Sequence, residues 1–347
     1  MQNPFSLAFG NSPYIEIERT ATDFDIVNDF NQEHSVSHAY MITGVRGSGK
    51  TVYMTNVCKQ LKQDKNWVVI EASPEDDILK QITYKLAKES EFNKLVVSAK
   101  IDISILNIEI TRTVNDNPEL ITILLEKLLD LACKKGRKVA IAIDEAVKNK
   151  YIKEFAHYFQ IFIRNDLPIY LIMTGLYENI YEIQNEKTLT FLYRTPRIEM
   201  QPLKLYKIAD SYSETFDIPL ATAKEMAEMT KGYAFAYQVL GYFYYEKKSP
   251  KLSAIENSYC NYLGEYVYEK IWSELSETDR LVVTTMLNMS EKIKIQELRD
   301  KLNVNSSVFS HYRDRLKRKG IVDTSEYGYI SFSLPYFGEF IRKAYVE

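Results

Sequence analysis

The most specific chemical signature in the sequence is a run that matches GxxxxGK followed by Ser or Thr at every fixed position: Gly44, Val45, Arg46, Gly47, Ser48, Gly49, Lys50 and Thr51. Glycines allow close approaches that a Cβ atom blocks, so successive amides and the start of a following helix can point at phosphate oxygens. In such a loop the lysine reaches the β- and γ-phosphates, and the next hydroxyl ligates Mg²⁺. We therefore predict a site for ATP or ADP with Mg²⁺. The alternative is a glycine-rich turn with a surface lysine.

Two adjacent carboxylates, Asp144 and Glu145, follow an unbroken apolar run at residues 139–143. Such a run is typical of a strand that is covered on both faces of a parallel sheet. A strand of this kind would deliver both acids to its carboxyl end. We predict that Asp144 holds Mg²⁺ through water and that Glu145 polarises the attacking water. The alternative is a solvated acidic turn.

A second apolar run, at residues 169–173, ends in Thr174 and Gly175. Ligands of open α/β sheets lie beyond the carboxyl ends of the strands. The Thr174 hydroxyl is therefore expected to position the attacking water or to touch the γ-phosphate. The alternative is an ordinary turn at the strand end before Gly175.

Two arginines, Arg194 and Arg197, are candidates for stabilising charge in the transition state. Arg194 is the preferred arginine finger and Arg197 the weaker candidate, and either would act on the site of a neighbouring subunit. This interpretation predicts a homo-oligomer. The alternatives are surface solvation and a salt bridge to Glu199.

The order of the elements agrees with these roles. The pattern predicts strands at 39–43, 67–71, 138–143 and 168–173, and helices at 51–61, 76–90, 118–134 and 155–164. This alternation predicts an α/β, doubly wound first domain with a parallel sheet, at residues 1–203. An alternating apolar and polar pattern at residues 95–112 predicts an inserted strand or hairpin.

The rest of the chain is predicted to form two smaller domains. Residues 204–274 carry successive helical patterns without a strand signal, which indicates a helical lid. Residues 275–347 show three helical patterns and then a hairpin around Gly328. This order predicts a winged helix-turn-helix domain.

Positive charge is concentrated in the predicted winged helix. Residues 292–319 contain nine Lys or Arg against three acids, a net charge of +6 within a chain of net charge −3. Because phosphate contacts require such a concentration, we predict DNA binding through basic side chains. The candidates are Arg313, Lys317, Arg318 and Lys319. The alternative is a winged helix that contacts protein, with its basic residues merely solvated.

Composition narrows the class of protein. The chain has 347 residues, of which 46% are hydrophobic and 26% charged, as in globular domains and unlike low-complexity chains. Its 26 tyrosines are expected to pack at amphipathic surfaces. Cys58, Cys133 and Cys260 show no CxxC spacing and are expected to be buried thiols in a reducing compartment. Without a signal peptide or an apolar stretch of about 20 residues, the protein is predicted to be cytoplasmic, with no membrane partner.

In the order of its motifs the chain resembles the AAA+ superfamily of P-loop ATPases. Within it, the similarity is to the archaeal- and bacterial-type branch related to STAND proteins and to origin-recognition initiators. The segments that carry the resemblance are Asn3-Pro4-Phe5, Phe9-Gly10, Met41-Ile42-Thr43, Ile143-Asp144-Glu145, Leu171-Ile172-Met173-Thr174-Gly175-Leu176, Gln201-Pro202-Leu203, Thr230-Lys231-Gly232 and Gln238-Val239-Leu240-Gly241. The resemblance implies an ATP site closed by a helical lid. It also implies an adenine-contacting segment before the loop, where Arg19 would flank the adenine.

Three features depart from the pattern of that family. Relatives often carry Gly-x-Pro where this chain has Gly232-Tyr233-Ala234, and no arginine stands in the following helix to act as a second sensor. Thr174 replaces an asparagine that many AAA+ ATPases place there. The first departure concerns the contact between the lid and the nucleotide, and the missing arginine implies that lid-coupled hydrolysis is slow.

Two functional interpretations follow. In the first, the chain is an ATP-dependent DNA-binding AAA+ ATPase, similar to an initiator or a mobile-element factor. In the second, it is a nucleotide-dependent switch of the STAND type that acts through protein contacts, with slow hydrolysis as a timer. A metabolic kinase on the same loop is disfavoured by Asp144-Glu145 and by the extra domains.

Overall fold

The computed structural model describes residues 2–7, 13–19, 25–89, 118–248 and 251–346. These residues belong to two units. The sheet unit comprises Ala21–Thr43 and Lys50–Glu199, and the helical unit comprises Met1–Thr20, Gly44–Gly49 and Met200–Glu347. The inserted strand or hairpin predicted at residues 95–112 lies outside the described residues. The three domain boundaries drawn from the sequence are not tested by this division and stay predictions.

A five-stranded sheet is the centre of the described part of the sheet unit. Its strands are β1 (Ala39–Thr43), β2 (Trp67–Glu71), β3 (Lys138–Ile143), β4 (Ile169–Gly175) and β5 (Arg197–Glu199), in the order β2-β3-β4-β1-β5. Every pairing in this sheet is parallel, as the alternation of strands and helices predicts. Strand β1, which leads into the glycine-rich loop, therefore lies between β4 and β5.

The register of the strands brings their carboxyl ends to one edge of the sheet. Ile143 of β3 is opposite Met173 of β4, and Thr43 of β1 is opposite Gly175. Strand β4 is buried throughout, and β3 is buried after its first residue. Because a strand buried along its whole length must be covered on both faces, the unbroken apolar runs in the sequence follow from this central position.

Helices accompany the strands of the sheet unit. They are α1 (Ile26–Asn31), α2 (Lys50–Gln63), α3 (Ile78–Lys88), α4 (Pro118–Lys134), α5 (Lys150–Arg164) and α6 (Tyr177–Gln184). Helix α5 begins before the predicted residue 155, because the Asn149 side chain caps it by accepting a hydrogen bond from the Ile152 amide at 2.9 Å. Its residues Phe155, Phe159 and Phe162 are buried, as helical spacing of an apolar stripe requires.

Buried tyrosines connect the helices between residues 204 and 274. These helices are α7 (Leu205–Phe216), α8 (Leu220–Thr230), α9 (Ala234–Glu246), α10 (Ser253–Leu263) and α11 (Glu269–Ser273), with a π-helical turn, Gly264–Tyr268, before the last. The hydroxyls of Tyr212 and Tyr259 donate to the carbonyls of Tyr237, at 2.6 Å, and Met229, at 3.0 Å. Burial raises the pKa of both phenols well above its usual value. Tyrosine suits these positions because its apolar ring is buried while its hydroxyl finds an acceptor.

The last part of the chain forms further helices and a small antiparallel sheet. The elements are α12 (Glu277–Leu287), β6 (Ile293–Lys294), α13 (Ile295–Leu302), α14 (Ser306–Arg318), β7 (Val322–Asp323), β8 (Tyr329–Phe332) and α15 (Phe337–Ile341). Strand β8 lies between β6 and β7. Phe309 and Leu316 of α14 are buried on one face, since seven residues make about two helical turns.

The cysteines are free thiols, but their burial differs. Cys58 is buried and Cys260 is half-buried, whereas Cys133 is exposed. The expectation of a buried thiol is therefore wrong for Cys133, which lies near the end of α4 with its neighbour Lys134 also exposed. Among the described residues, no helix combines the length and the apolar content that a bilayer crossing requires.

Candidate nucleotide site

The glycine-rich loop, Gly44–Gly49, joins β1 to α2, which begins at Lys50. Gly47 and Gly49 have φ angles of 71° and 89°, in the left-handed region that favours glycine. A Cβ atom on Gly47 would also lie 2.3 Å from the hydroxyl oxygen of Tyr233. Backbone conformation and close contact therefore require the glycine at position 47, and backbone conformation requires the one at 49.

Several polar groups of the loop have no partner in the described part of the chain. The amides of Arg46, Gly47 and Gly49 donate to no protein group there. The buried Ser48 hydroxyl likewise has no hydrogen-bond partner among these residues. Neighbouring unpaired amides form a positively polarised concavity that suits an anion. The loop therefore fits the phosphates of a nucleotide.

Three donors hold the Asp144 carboxylate within the sheet unit. Thr51 Oγ1 donates to its Oδ2 at 2.8 Å, and the Glu145 amide donates to its Oδ1 at 3.0 Å. Thr174 Oγ1 also donates to Oδ1. Because both oxygens are held, the carboxylate has a defined orientation. Hydroxyl and carboxylate oxygens are the ligands that Mg²⁺ prefers, so Thr51 and Asp144 fit the predicted metal.

Glu145 has an unusual backbone conformation for a residue with a side chain. Its φ angle is 51°, in the left-handed region. Its amide donates to Thr174 Oγ1 at 3.2 Å as well as to Asp144, and the Ala146 amide donates to the Thr174 carbonyl at 2.8 Å. Such strained residues cluster at functional sites, where surrounding contacts hold them. The Glu145 side chain is exposed, and its predicted role in polarising water stays a prediction.

Thr174 lies completely buried near the end of β4, and its hydroxyl contacts the Asp144 carboxylate and the Glu145 backbone. It donates to Asp144 and accepts from the Glu145 amide. The structure therefore brings together residues from three segments that the sequence singled out separately: Thr51, the pair Asp144 and Glu145, and Thr174. The predicted contact between Thr174 and the water or the γ-phosphate stays a prediction.

The two candidate arginine fingers are exposed on the sheet unit. Arg194 ends a short 3₁₀ helix, Thr190–Arg194, and Arg197 begins β5. The Arg197 guanidinium lies over the Tyr177 ring, 5.5 Å from its centre. A residue that acts on a neighbouring subunit must be exposed, so the surface position is compatible with this role. The finger and the homo-oligomer stay predictions.

Arg19 contacts the loop itself, within the helical unit. Its guanidinium donates to the backbone carbonyls of Ser48 and Gln201. These contacts place a permanent positive charge beside the glycine-rich loop. The predicted role of Arg19 beside the adenine is not tested by them.

Sequence reasoning missed residues of the helical unit that contact the loop. The Tyr233 hydroxyl donates to the Arg46 carbonyl at 2.6 Å, and Arg46 Nη2 pairs with Glu274 Oε1 at 2.7 Å. A Cβ atom on Gly320 would lie 2.8 Å from Val45 Cβ. Because Tyr233 and Glu274 lie 187 and 228 residues from Arg46 in the chain, no local pattern reveals these contacts.

The basic residues of α14 have different environments. Arg315 Nε lies 2.6 Å from Oδ1 of Asp279, a carboxylate that is 1% exposed. The Arg315 charge therefore pairs with a buried carboxylate of the C-terminal elements. Arg313 pairs with the adjacent Asp314 at 3.0 Å. Among the residues predicted to contact DNA, the exposed ones are Lys317 and Arg318, and the partly exposed ones are Arg313 and Lys319.

Comparisons with known proteins agree with this fold. Residues 31–168 match a family model described as an ATPase domain predominantly from Archaea, and residues 265–341 match a domain of unknown function. No curated protein matches the sequence. A Walker-type ATPase of Pyrococcus abyssi is similar in structure, with 14% identity and a TM-score of 0.62 over 88% of this chain and 91% of that one.

A second solved structure shares the same arrangement. The ORC2 protein of Aeropyrum pernix, solved in ADPNP–ADP complexes, has 13% identity and a TM-score of 0.55 over 88% of this chain and 87% of that one. At these identities the likeness concerns the fold. The predicted α/β class with a parallel sheet is confirmed.

Proposed function

We propose that this chain, which has the fold of AAA+ P-loop ATPases similar to archaeal Orc/Cdc6 proteins, binds ATP with Mg²⁺ and hydrolyses it. The observation that carries the proposal is the Asp144 carboxylate, whose oxygens accept from the hydroxyls of Thr51 and Thr174. Thr51 is the second residue of the helix that follows the glycine-rich loop. The match of residues 31–168 to an ATPase family model supports the same activity.

Binding would use the loop amides, Lys50 and the start of α2. The partial positive charge at the beginning of a helix favours phosphate, and Lys50 adds a full charge at the β/γ oxygens. The Thr51 hydroxyl, which donates its proton to Asp144, would offer a lone pair to the metal, and Asp144 would hold a water ligand. Bound Mg²⁺ neutralises charge on the β- and γ-phosphates.

Hydrolysis would use Glu145 as the base. Water attacks the γ-phosphorus, the bond to the bridging oxygen of ADP breaks, and Glu145 accepts a proton from the water. Thr174 keeps the Asp144 carboxylate and the Glu145 amide in place during this step. Arg194 of a second copy would supply the cation that stabilises the leaving charge. Without an arginine second sensor, turnover is expected to be slow.

Calorimetry and turnover assays on two variants test this function. Lys50→Ala should lose most of the affinity for Mg-ATP, because a charge at the phosphate oxygens is removed. Glu145→Gln should keep the affinity while turnover falls by about 10²- to 10⁴-fold, the usual contribution of a general base. Lys62→Ala, an exposed lysine near the end of α2, is the control and should behave as wild type. Folded wild-type protein that releases no heat with Mg-ATP or Mg-ADP would falsify the proposal.

Two contacts favour a nucleotide-dependent switch as a second candidate function. Val45 and Arg46 of the loop lie against Gly320 and Glu274, so the C-terminal third of the chain meets the loop directly. A change in the loop when nucleotide exchanges would then alter the stability of these contacts. In this interpretation the partner is a protein, and slow hydrolysis sets the lifetime of the active state.

We also propose that residues 275–347 bind duplex DNA, as the interpretation of the chain as a DNA-binding ATPase requires. The order of helices and strands there is that expected of a winged helix-turn-helix, and α14 carries two exposed basic residues near its end. Lys317 and Arg318 support phosphate contacts. No sequence preference follows, because phosphate contacts position a protein and only contacts with base edges specify a sequence.

A further inference from the structure

The residues that stand in place of Gly-x-Pro, Gly232-Tyr233-Ala234, contact the glycine-rich loop. Tyr233 is 5% exposed, and its hydroxyl donates to the Arg46 carbonyl at 2.6 Å. The Phe235 amide donates to the Gly47 carbonyl at 3.1 Å. Phe235 is the second residue of α9, so its amide is one of the first-turn donors that a helix cannot satisfy itself. The loop therefore caps this helix.

Both the backbone around Tyr233 and its side chain are held by contacts. The Gly232 carbonyl accepts from the Leu203 amide at 2.8 Å, and the Tyr233 amide donates to the Thr230 carbonyl at 2.9 Å. On the loop side, a Cβ atom on Gly47 would lie 2.3 Å from the Tyr233 hydroxyl oxygen and 2.9 Å from Phe235 Cβ. Tyr233 and the loop backbone are thus in direct contact, with no room between them for a side chain.

The contact between Tyr233 and the Arg46 carbonyl also sets the direction of the Gly47 amide. In a trans peptide, the carbonyl of one residue and the amide of the next point in opposite directions. A hydrogen bond that fixes the Arg46 carbonyl therefore also fixes the direction of the Gly47 amide. That amide donates to no protein group among the described residues, so it points away from Tyr233 and is available for an anion.

We propose that Tyr233 is a positioning residue for nucleotide binding, which aims the Gly47 amide at the phosphate oxygens by holding the Arg46 carbonyl. This inference rests on the proposed function. In the family that the chain resembles, an arginine after Gly232 contacts the nucleotide directly. Here Tyr233 would favour nucleotide binding indirectly, through the backbone of the loop. Burial raises the pKa of the Tyr233 phenol far above its usual value, so the hydroxyl keeps its proton at neutral pH and stays a donor.

Tyr233→Phe removes only the hydroxyl and is the central variant. The dissociation constant for Mg-ADP should rise about fivefold, as expected when one neutral hydrogen bond that orients a ligand group is lost. Tyr259→Phe is the matched control, since Tyr259 is buried in the same unit and donates to the Met229 carbonyl at 3.0 Å. The control should lower the melting temperature to a similar degree and leave the dissociation constant unchanged. Equal affinities of wild type and Tyr233→Phe overturn the inference.

Glycine-selective ¹⁵N spectra provide a second measurement, and its wild-type part does not depend on any variant. The chain has 12 glycines, so few signals compete. In wild type, the Gly47 amide proton should move downfield when Mg-ADP is added, because it then donates to a charged oxygen. In Tyr233→Phe this shift should shrink, whereas in Tyr259→Phe it should persist. A Gly47 signal that does not move in wild type overturns the inference even if Tyr233→Phe fails to fold.

The outcomes separate this inference from the function on which it rests. If the wild-type protein binds neither Mg-ADP nor Mg-ATP, both the proposed function and the role of Tyr233 are wrong. Wild-type protein that binds nucleotide, together with an unaffected Tyr233→Phe variant, removes only the role of Tyr233. A melting temperature that falls in both tyrosine variants, with affinity lost in neither, assigns Tyr233 to packing alone.

Discussion

Hydroxyl groups hold the acid pair at the end of β3. Thr51 and Thr174 donate to the two oxygens of Asp144, and Thr174 also accepts from the Glu145 amide. A carboxylate that holds a metal, directly or through water, needs such supporting contacts, because they fix which oxygen faces it. Thr174 is therefore a residue whose effect on hydrolysis should act through Asp144 and Glu145.

Thr174→Val should lower ATP turnover by about 10- to 100-fold, the usual effect of removing a contact that orients a metal ligand. Valine keeps the shape of the side chain and removes the donor to Asp144 Oδ1. The affinity for Mg-ADP should change much less than turnover, because the loop amides and Lys50 are untouched. Steady-state turnover and calorimetry on the same preparation measure both quantities.

Two variants control for this prediction. Thr174→Ser keeps the hydroxyl and should keep most of the activity. Thr83→Val removes another buried hydroxyl of the sheet unit, one that donates to the Leu79 carbonyl at 2.7 Å, and should leave turnover unchanged. Wild-type turnover in Thr174→Val would show that the hydroxyl does not position the acids.

At the level of elements, the loop is anchored through positions that its motif leaves variable. The fixed residues of such a loop serve the phosphates and the metal. Its variable residues Val45 and Arg46 instead contact Gly320, which follows α14, and Glu274, which follows α11. The loop can therefore bind a ligand with one set of groups and influence other elements with another.

Glu274→Ala should speed the release of bound ADP by about two- to fivefold. Both side chains of the Arg46–Glu274 pair are about one-third exposed, and exposed ion pairs contribute up to about 1 kcal/mol. Stopped-flow displacement of a fluorescent ADP analogue measures the rate. Higher salt should speed release from wild type more than from the variant, because salt screens the pair.

Glu269→Ala provides the matched control for that measurement. Glu269 is an exposed residue at the start of α11, close in sequence to Glu274. Its replacement should leave the release rate unchanged. A release rate that is equal in wild type and Glu274→Ala would argue against a switch operated through this contact.

For the whole molecule, the distribution of charge decides where DNA could bind. The chain is net negative, whereas residues 292–319 carry a net charge of +6. Part of that charge is neutralised locally, since Arg315 pairs with buried Asp279 and Lys292 pairs with Glu326. Exposed cations of this segment include Lys301 of α13 and, on the C-terminal half of α14, Lys317 and Arg318.

Removing Lys317 and Arg318 together should weaken duplex DNA binding and flatten its salt dependence. Each lost phosphate contact lowers the slope of log K against log salt by about 0.9, so the double alanine variant should lose about 1.8. Fluorescence anisotropy with a labelled duplex at several salt concentrations measures the slope. Absence of wild-type binding at about 50 mM salt would remove the DNA interpretation.

A charge-matched control distinguishes a local contact from general attraction. Lys62 and Lys65 are exposed lysines at and after the end of α2, in the sheet unit. Replacing both by alanine changes the net charge by the same amount and should leave the slope unchanged. An equal loss of slope in both double variants would indicate that no surface on α14 binds DNA specifically.

Local spacing was sufficient to predict the glycine-rich loop, the acidic strand end and the α/β order of the elements. Each of these depends on residues that are close in the chain: glycines at positions that need a left-handed φ, and apolar runs that mark strands covered on both faces. The loop at 44–49, strand β3 and strand β4 lie where these patterns indicate.

Contacts between distant residues were decided by the tertiary structure alone. Thr174 lies 30 residues from Asp144, and Tyr233 lies 187 residues from Arg46. Burial also decided that Arg315 serves Asp279 rather than a phosphate. Such pairings depend on how whole elements pack together, and no periodicity or spacing within one element carries that information.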